Sequence, residues 1–261
     1  MDSNLLGRED APIESETWKV LDEIMVEAAK SILIGRRLLH VEGPYGLGLK
    51  SVPLRDDKAE GGLITGNFVP LILIHRTFVL SKRDLAASER ENMPIDIGPV
   101  ASVAIETALQ EDSIIFNGIP GVKGLLTAEG SGKFKLSPWD SIGKAVEDVI
   151  SAVTILDKAG FHGPYTLALS PSRYNLLFRR YPQGGTELEY LRDLVTDGIF
   201  KLPILDNGGV LIAAGRQYAS IVLGQDMTIG FIGPCDENLE FSISESLALL
   251  IRQPKAICVL K

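Results

Sequence analysis

The stretch E-G-P-Y-G-L-G-L-K-S, residues 42–51, falls one residue short of the phosphate-loop pattern G-x-x-x-x-G-K-[ST]. Gly43 and Gly48 have the pattern's separation, but Leu49 stands between Gly48 and the pair Lys50-Ser51. A phosphate loop works because consecutive backbone N–H groups point at the anion, a lysine sits at a fixed offset, and a helix opens directly behind. Here the extra leucine moves the lysine off that offset. Pro44 removes an N–H from the middle of the cradle, and Val52-Pro53 cannot open the helix. The stretch therefore reads as a structural turn, and the fold has to be sought in what flanks it.

Upstream, Trp18, Leu21, Ile24, Ala28 and Ile32 recur at helical spacing, with Glu16, Asp22, Glu23 and Glu27 between them. This predicts a helix over 15–35 with Ser15 as its N-cap, then a short strand in RLLHVEG that runs into the turn. Downstream, residues 52–68 are polar and glycine-bearing around RDDKAEGG. A structureless loop of that length does not suit a compact body, so it reads as a projecting arm. VPLILIHRTFVLS follows as a long strand. Leu71, Leu73, His75, Thr77 and Val79 share one face, and Ile72, Ile74, Arg76, Phe78 and Leu80 the other.

Further on, helices are predicted over 83–91 and over 99–116, the latter stopped by Asn117-Gly118. Another is predicted from Ser137, where Ser-Pro-Trp-Asp offers an N-cap, to Ala159, with an apolar stripe of Ile142, Val146, Val149, Val153 and Leu156. YTLALS reads as a buried strand. Ser170-Pro171 opens a short helix, and Thr186 with Glu189 has capping-box spacing for a second. Between those two helices lies the glycine-rich loop YPQGGTE. From Phe200 onward the pattern is mostly β, so the class is α+β without an internal repeat.

The 261 residues allow one large domain or two lobes, and 45% hydrophobic with 23% charged residues marks a globular chain. Thirty-four acidic against 26 basic residues leave a net charge of -8. Arg36-Arg37 and Arg179-Arg180 are isolated pairs rather than a basic face, which argues against nucleic acid as a partner. MDSNLLGRED lacks the basic start and apolar run of a signal peptide, and VPLILI is strand-sized, so no membrane partner is expected and the location reads as cytoplasmic. Cys235 and Cys258 have no metal-ligand spacing, and Cys258, inside AICVL, reads as a core residue.

Catalytic patterns are likewise missing. His40, His75 and His162 are scattered, and neither G-x-S-x-G nor H-E-x-x-H occurs. Glu106, Glu111 and Asp112 lie on one helix without the Glu-x-x-His repeats of a di-metal bundle, and read as solvated charges or partners in salt bridges between subunits. The chain is expected to be no enzyme, with no catalytic, metal or cofactor site.

Several motifs, in order, resemble the encapsulins, self-assembling nanocompartment proteins once described as linocin-type bacteriocins. They are GRRLLHVEGPYG, VPLILIHRTFVLSKRDLAASER, GVKGLL at 121–126, HGPYTLALSPSRYNLL at 162–177 and VLGQDMTIGF at 222–231, and they span essentially the whole chain. The resemblance implies the tailed-bacteriophage major capsid protein fold. Residues 1–51 (N-terminal helix and cargo-facing turn), 73–136 (with the spine helix) and 221–261 (β-strands) would form the peripheral domain. Residues 52–72 would be the extended loop and 137–220 the axial domain.

It further implies a closed icosahedral homo-oligomer of roughly sixty copies. Such a shell encloses a cargo enzyme, a ferritin-like iron oxidase, a peroxidase or a related redox protein, held by its C-terminal peptide. The peptide groove would comprise Arg36, His40, Val41, Glu42, Gly43, Pro44 and Tyr45, with Asp226, Met227 and Ile229. The five-fold pore loop would comprise Tyr181, Pro182, Gln183, Gly184, Gly185, Thr186 and Glu187. Some encapsulins bind flavin through a tryptophan after TFVL; Arg83 stands there in this chain, so no flavin is expected. The alternatives are a secreted bacteriocin or protease, and a prophage capsid protein.

Overall fold

The computed structural model describes residues 5–58, 60–91 and 93–261. Helix α1 (Ser15–Ile32) and the single turn α2 (Gly35–Leu38) precede β1 (His40–Glu42), β2 (Ser51–Pro53), β3 (Asp57–Lys58), β4 (Ile64–Thr65), β5 (Phe68–Pro70) and β6 (Ile72–Ser81). Then come α3 (Lys82–Glu91), α4 (Gly98–Asn117), β7 (Gly118–Ile119), β8 (Val122–Lys123) and β9 (Gly132–Phe134). They are followed by α5 (Lys144–Lys158), β10 (Tyr165–Leu169), α6 (Pro171–Leu176) and α7 (Glu187–Leu194). The chain ends in β11 (Ile199–Lys201), β12 (Gly209–Ala213), β13 (Ala219–Leu223), β14 (Thr228–Cys235), β15 (Asn238–Ile251) and β16 (Ile257–Leu260). Two compact units result. One takes the chain up to Leu33, Glu42–Glu111 and Val222–Ala248; the other takes Ile34–Val41, Asp112–Ile221 and Leu249–Lys261.

The first unit is organised around β15. Strand β6 pairs with it antiparallel from Asn238↔Ser81 to Leu247↔Ile72, and β14 pairs with it from Cys235↔Asn238 to Thr228↔Ser244. Within this unit β14 and β6 therefore flank β15. The alternation read from the sequence holds along β6: Ile74, Phe78 and Leu80 are buried, while Leu73, His75, Thr77 and Val79 are exposed. Phe241 of β15 is the centre of this core. Phe78 stacks on it at 5.4 Å between ring centroids, and Trp18 of α1 meets it edge-on at 5.7 Å. Rings in these geometries add to the area they bury, which makes this cluster the main anchor of α1. Ser15 does not cap that helix. Its N-cap is Glu14, and the Glu89 carboxylate of α3 accepts from the Glu14 N–H at 2.9 Å and from Thr17 Oγ1 at 3.3 Å.

The arm expected at 52–72 is an ordered ribbon. β2 pairs antiparallel with β5 and β3 with β4, so the polar stretch satisfies its backbone by pairing with itself. Leu54, Leu63, Ile64 and Phe68 on it are exposed.

The second unit holds a five-stranded sheet of order β11-β10-β12-β16-β9. Val149, Val153 and Leu156 of α5 pack on it against Leu167, Leu169, Leu211 and Cys258. Because β16 pairs with β12, residues 249–261 belong here, and not with the other late strands as the expected 221–261 segment has it. Residues 34–41 and 112–136 join this unit for the same reason of pairing and packing. The helix expected from Ser137 starts at Lys144 instead. Residues before it fold around Asp148, whose Oδ2 accepts from Ser137 N at 2.7 Å and from Trp139 Nε1 at 2.7 Å, with Trp139 buried at φ 42.

Two acids read as solvated are in fact buried. Glu111 and Asp112 are inaccessible, and the Asp112 carboxylate takes the N–H of Ile34 at 2.9 Å and of Gly35 at 2.8 Å, where α2 begins. A side chain shorter than Glu can serve as an internal cap, and the local pattern of α4 does not show what lies opposite it.

Candidate functional site

The turn at 42–51 is held by main-chain bonds. Tyr45 N donates to Leu223 O at 3.1 Å, Gly46 N to Gly224 O at 2.6 Å and Leu49 N to Gly46 O at 3.2 Å. Its amides are therefore engaged with carbonyls rather than aimed at a common point, which agrees with a turn and not a phosphate cradle. Gly43 lies at φ 109, and a Cβ there would stand 2.5 Å from Leu223 O, so only glycine fits. The chain passes through a cis Gly43-Pro44 bond and presents Tyr45, 64% exposed.

Beside the turn, in the same unit, is a cavity of about 450 Å³ lined by Leu6, Arg8, Pro44, Gly46, Gly224, Gln225, Asp226 and Thr228. One wall is the segment before α1. Arg8 fixes it by pairing with Asp22 through both terminal nitrogens, at 3.0 and 2.6 Å, and by standing 4.0 Å over the Trp18 ring. Gly7, at φ 64, lies so close to β14 that a Cβ would meet Phe231 O at 2.7 Å. The opposite wall is the link from β13 to β14. There Asp226 Oδ1 accepts from Met227 N at 2.8 Å, and Thr228 Oγ1 donates to Asp226 O at 2.7 Å.

Of the ten groove residues expected, Pro44 and Asp226 line this cavity, with Gly43 and Tyr45 flanking Pro44 in the turn. Glu42 is half-buried at the end of β1. Met227 packs partly on Ala29, Leu33 and Ala108, and Ile229 is fully buried in the core, offering only its carbonyl, which Arg8 reaches at 3.4 Å. Arg36, His40 and Val41 belong to the second unit. Leu6, Arg8 and Gln225 are lining residues that the sequence reading passed over. Gln225 stood inside the quoted VLGQDMTIGF; Arg8 carried no local signal, since its partners Asp22 and Trp18 lie a helix away.

In the second unit, residues 181–186 form a tight loop. Tyr181 N donates to Gly185 O and Gly184 N to Tyr181 O, both at 3.0 Å, and Arg180 bridges to Thr186. Thr186 and Glu189 form the expected capping box on α7. Pro182, Gln183, Gly184 and Gly185 are exposed at the tip, whereas Glu187 is fully buried. Its carboxylate takes Arg179 Nη2 at 2.7 Å and Gly143 N at 2.8 Å. Glu187 thus ties the loop's base down instead of facing solvent. Burial, and then the Glu187 charge, raises the Tyr181 phenol above its ordinary value.

Among the described residues no group of acidic, histidine or cysteine side chains could hold a metal ion, and no helix is long and apolar enough to cross a membrane.

Solved structures define the class. The virus-like particle of Pyrococcus furiosus superposes with a TM-score of 0.78 at 25% identity, over 94% of this chain and 100% of that one. The capsid of Myoviridae phage XM1 superposes with a TM-score of 0.58 at 14% identity, over 85% and 88%. This is the capsid-protein fold shared by encapsulins and tailed phages, as the resemblance implied. Residues 3–248 match the family model described as "Encapsulating protein for peroxidase". The chain is 32% identical to the type 1 encapsulin shell protein of Myxococcus xanthus over 99% of its own length and 96% of that protein's. It is 33% identical to the diheme-cytochrome-encapsulin shell fusion protein of Kuenenia stuttgartiensis, over 95% and 74%. The chain belongs to the encapsulin family of nanocompartment shell proteins.

Proposed function

We propose that the cavity between residues 6–8, the turn at 44–46 and the link at 224–228 receives the C-terminal tail of the cargo. The observation that carries this reading is a preformed pocket of peptide-side-chain dimensions, with rigid backbone walls and charged groups at its margin. An apolar anchor fills such a pocket, and the margin fixes its direction. The cargo is an iron-handling or peroxide-handling redox enzyme, in keeping with the peroxidase in the family's description and the cytochrome fused to one relative's shell domain. About sixty copies close the shell, in the cytoplasm, and the loop at 181–186 lines an opening for ions and small substrates. The shell itself carries no catalysis.

Replacing Leu6, which lines the cavity, and Tyr45, which flanks Pro44 in its wall, by alanine tests the docking site. Shells of the double variant are expected to assemble and to come out empty under electron microscopy and gel densitometry. Loading equal to the parent's would reduce the turn to a corner. Mass spectrometry of the protein that copurifies with native shells tests the cargo class, which fails when that protein handles neither iron nor peroxide.

A further inference from the structure

The side chains with hydrogen-bond donors that line the docking cavity are Arg8, Gln225 and Thr228. The last two spend their donors inside the protein. Gln225 Nε2 donates to Ser244 O at 3.1 Å and to Ser244 Oγ at 2.9 Å, and Thr228 Oγ1 donates to Asp226 O at 2.7 Å. Arg8 keeps donors in reserve. Its Nη1 donates to Asp22 Oδ1 at 3.0 Å and to Ile229 O at 3.4 Å, and its Nη2 donates to Asp22 Oδ2 at 2.6 Å. Three of the five guanidinium N–H groups therefore have acceptors among the described residues. The Nε–H and the second Nη2–H remain, and these two lie side by side on one edge of the planar group.

The group is also held still. Asp22 grips the edge between the terminal nitrogens, and the Trp18 ring closes one face at 4.0 Å, so the free edge has its direction before any ligand arrives. The Arg8 side chain keeps 21% exposure, which leaves it open to a molecule in the cavity it lines. We propose that Arg8 donates through this edge to a main-chain carbonyl of the bound cargo tail, with Asp22 as its positioning residue. Charge decides against a carboxylate there. Asp22 already balances Arg8, and the exposed Asp226 lines the opposite wall, so a further anion meets net repulsion. A neutral carbonyl takes the same donors without that repulsion, and the guanidinium charge strengthens the bond. Recognition at this edge is then blind to the tail's side chains, which leaves sequence selection to the apolar anchor. This inference rests on the docking reading above.

The probe is a fluorescein-labelled synthetic peptide with the C-terminal sequence of the protein that copurifies with native shells, bound to reassembled shells and read by fluorescence anisotropy. Affinity is expected to fall about tenfold in Arg8→Lys, which keeps the charge but loses the planar pair of donors. A loosened wall alone would give the same fall, so the tail's amides are also changed to esters one at a time, which weakens a single carbonyl as an acceptor. One position is expected to lose about fivefold on parental shells and under about twofold on Arg8→Lys shells, the mark of a direct contact. Parental affinity in Arg8→Lys overturns the proposal, and so does an ester effect that is equal on both shells or absent throughout. Amidating the tail's C-terminus is expected to change affinity by less than about twofold. A loss as large as that of Arg8→Lys would give the edge to the terminal carboxylate and overturn the carbonyl. Should Arg8→Lys not assemble, Asp22→Asn, which releases the grip on Arg8, takes its place with the same outcomes. The Leu6 and Tyr45 double variant separates the two readings. Unchanged affinity in it sinks the docking site, whereas a loss in it beside equal ester effects removes only the role of Arg8.

Discussion

Asp148 Oδ2 stands 2.7 Å from Trp139 Nε1, and the same oxygen takes both the N–H and the hydroxyl of Ser137, at 2.7 and 2.9 Å. One carboxylate on the first turns of α5 therefore organises the irregular segment before it and holds a fully buried indole in a left-handed backbone conformation. Asp148→Ala leaves three donors without their acceptor, one of them, the Trp139 indole N–H, buried. The expected loss is about 3 kcal/mol, read as a lowered denaturant midpoint with unchanged slope. A loss under about 0.5 kcal/mol would mean that packing alone holds Trp139.

Glu187→Gln tests the base of the loop at 181–186. The Arg179–Glu187 pair joins a fully buried carboxylate to a partly exposed guanidinium, so its removal is expected to cost about 2–3 kcal/mol. Protease cutting at 181–186 should rise with it. The Tyr181 phenol should move only part of the way back towards its ordinary value of 10.0, because burial is the larger cause of its raised position and the Glu187 charge the smaller. Ultraviolet titration of the variant reads this directly, and a full return would reverse that order of causes.

The fold was legible where pattern and packing agree. The alternation along Ile72–Ser81 and the capping box at Thr186 reappear as read, and the stripe of α1 does so at Trp18 and Leu21 but then buries Met25 and Ala29, with Ile24, Ala28 and Ile32 only half-buried. It was illegible where a residue answers to something distant in sequence. Asp112 caps a helix 77 and 78 positions earlier, Asp148 draws the chain before α5 out of its helical pattern, and the last strand crosses to the second unit by pairing with β12. The site divides in the same way. The turn at 42–46 announced itself through glycine and proline, whereas Arg8 and Gln225 enter the pocket only through tertiary contacts with Trp18, Asp22 and Ser244.

The two cysteines should differ sharply in reactivity. Cys235 is exposed, whereas burial raises the Cys258 thiol to about 11. A raised thiol pKa leaves less thiolate at a given pH, roughly one part in a thousand at pH 8, and the thiolate is the form that reacts. Iodoacetamide at pH 8 is expected to label folded chains once, at Cys235, with Cys258 protected until denaturant is added. Rapid double labelling of the native protein would contradict the buried setting of Cys258.

The ribbon at 51–70 carries the last prediction. Its strands satisfy one another's backbone, so nothing local calls for the apolar side chains it displays, yet Leu63, Ile64 and Phe68 stand 66%, 67% and 60% exposed. An exposed apolar set on a self-paired ribbon marks an interface, and a shell protein has copies of itself to meet. Phe68→Asp puts a charge on that apolar face, and Phe68, 60% exposed and opposite Pro53 across the ribbon, lies outside the protomer's core. The variant is therefore expected to remain folded by circular dichroism and to elute as free protomers instead of shells in size-exclusion chromatography. Parental shells from Phe68→Asp would show that the ribbon's apolar face is not what joins the copies, and would shift the search to the exposed aromatics Phe178 and Tyr190 of the second unit.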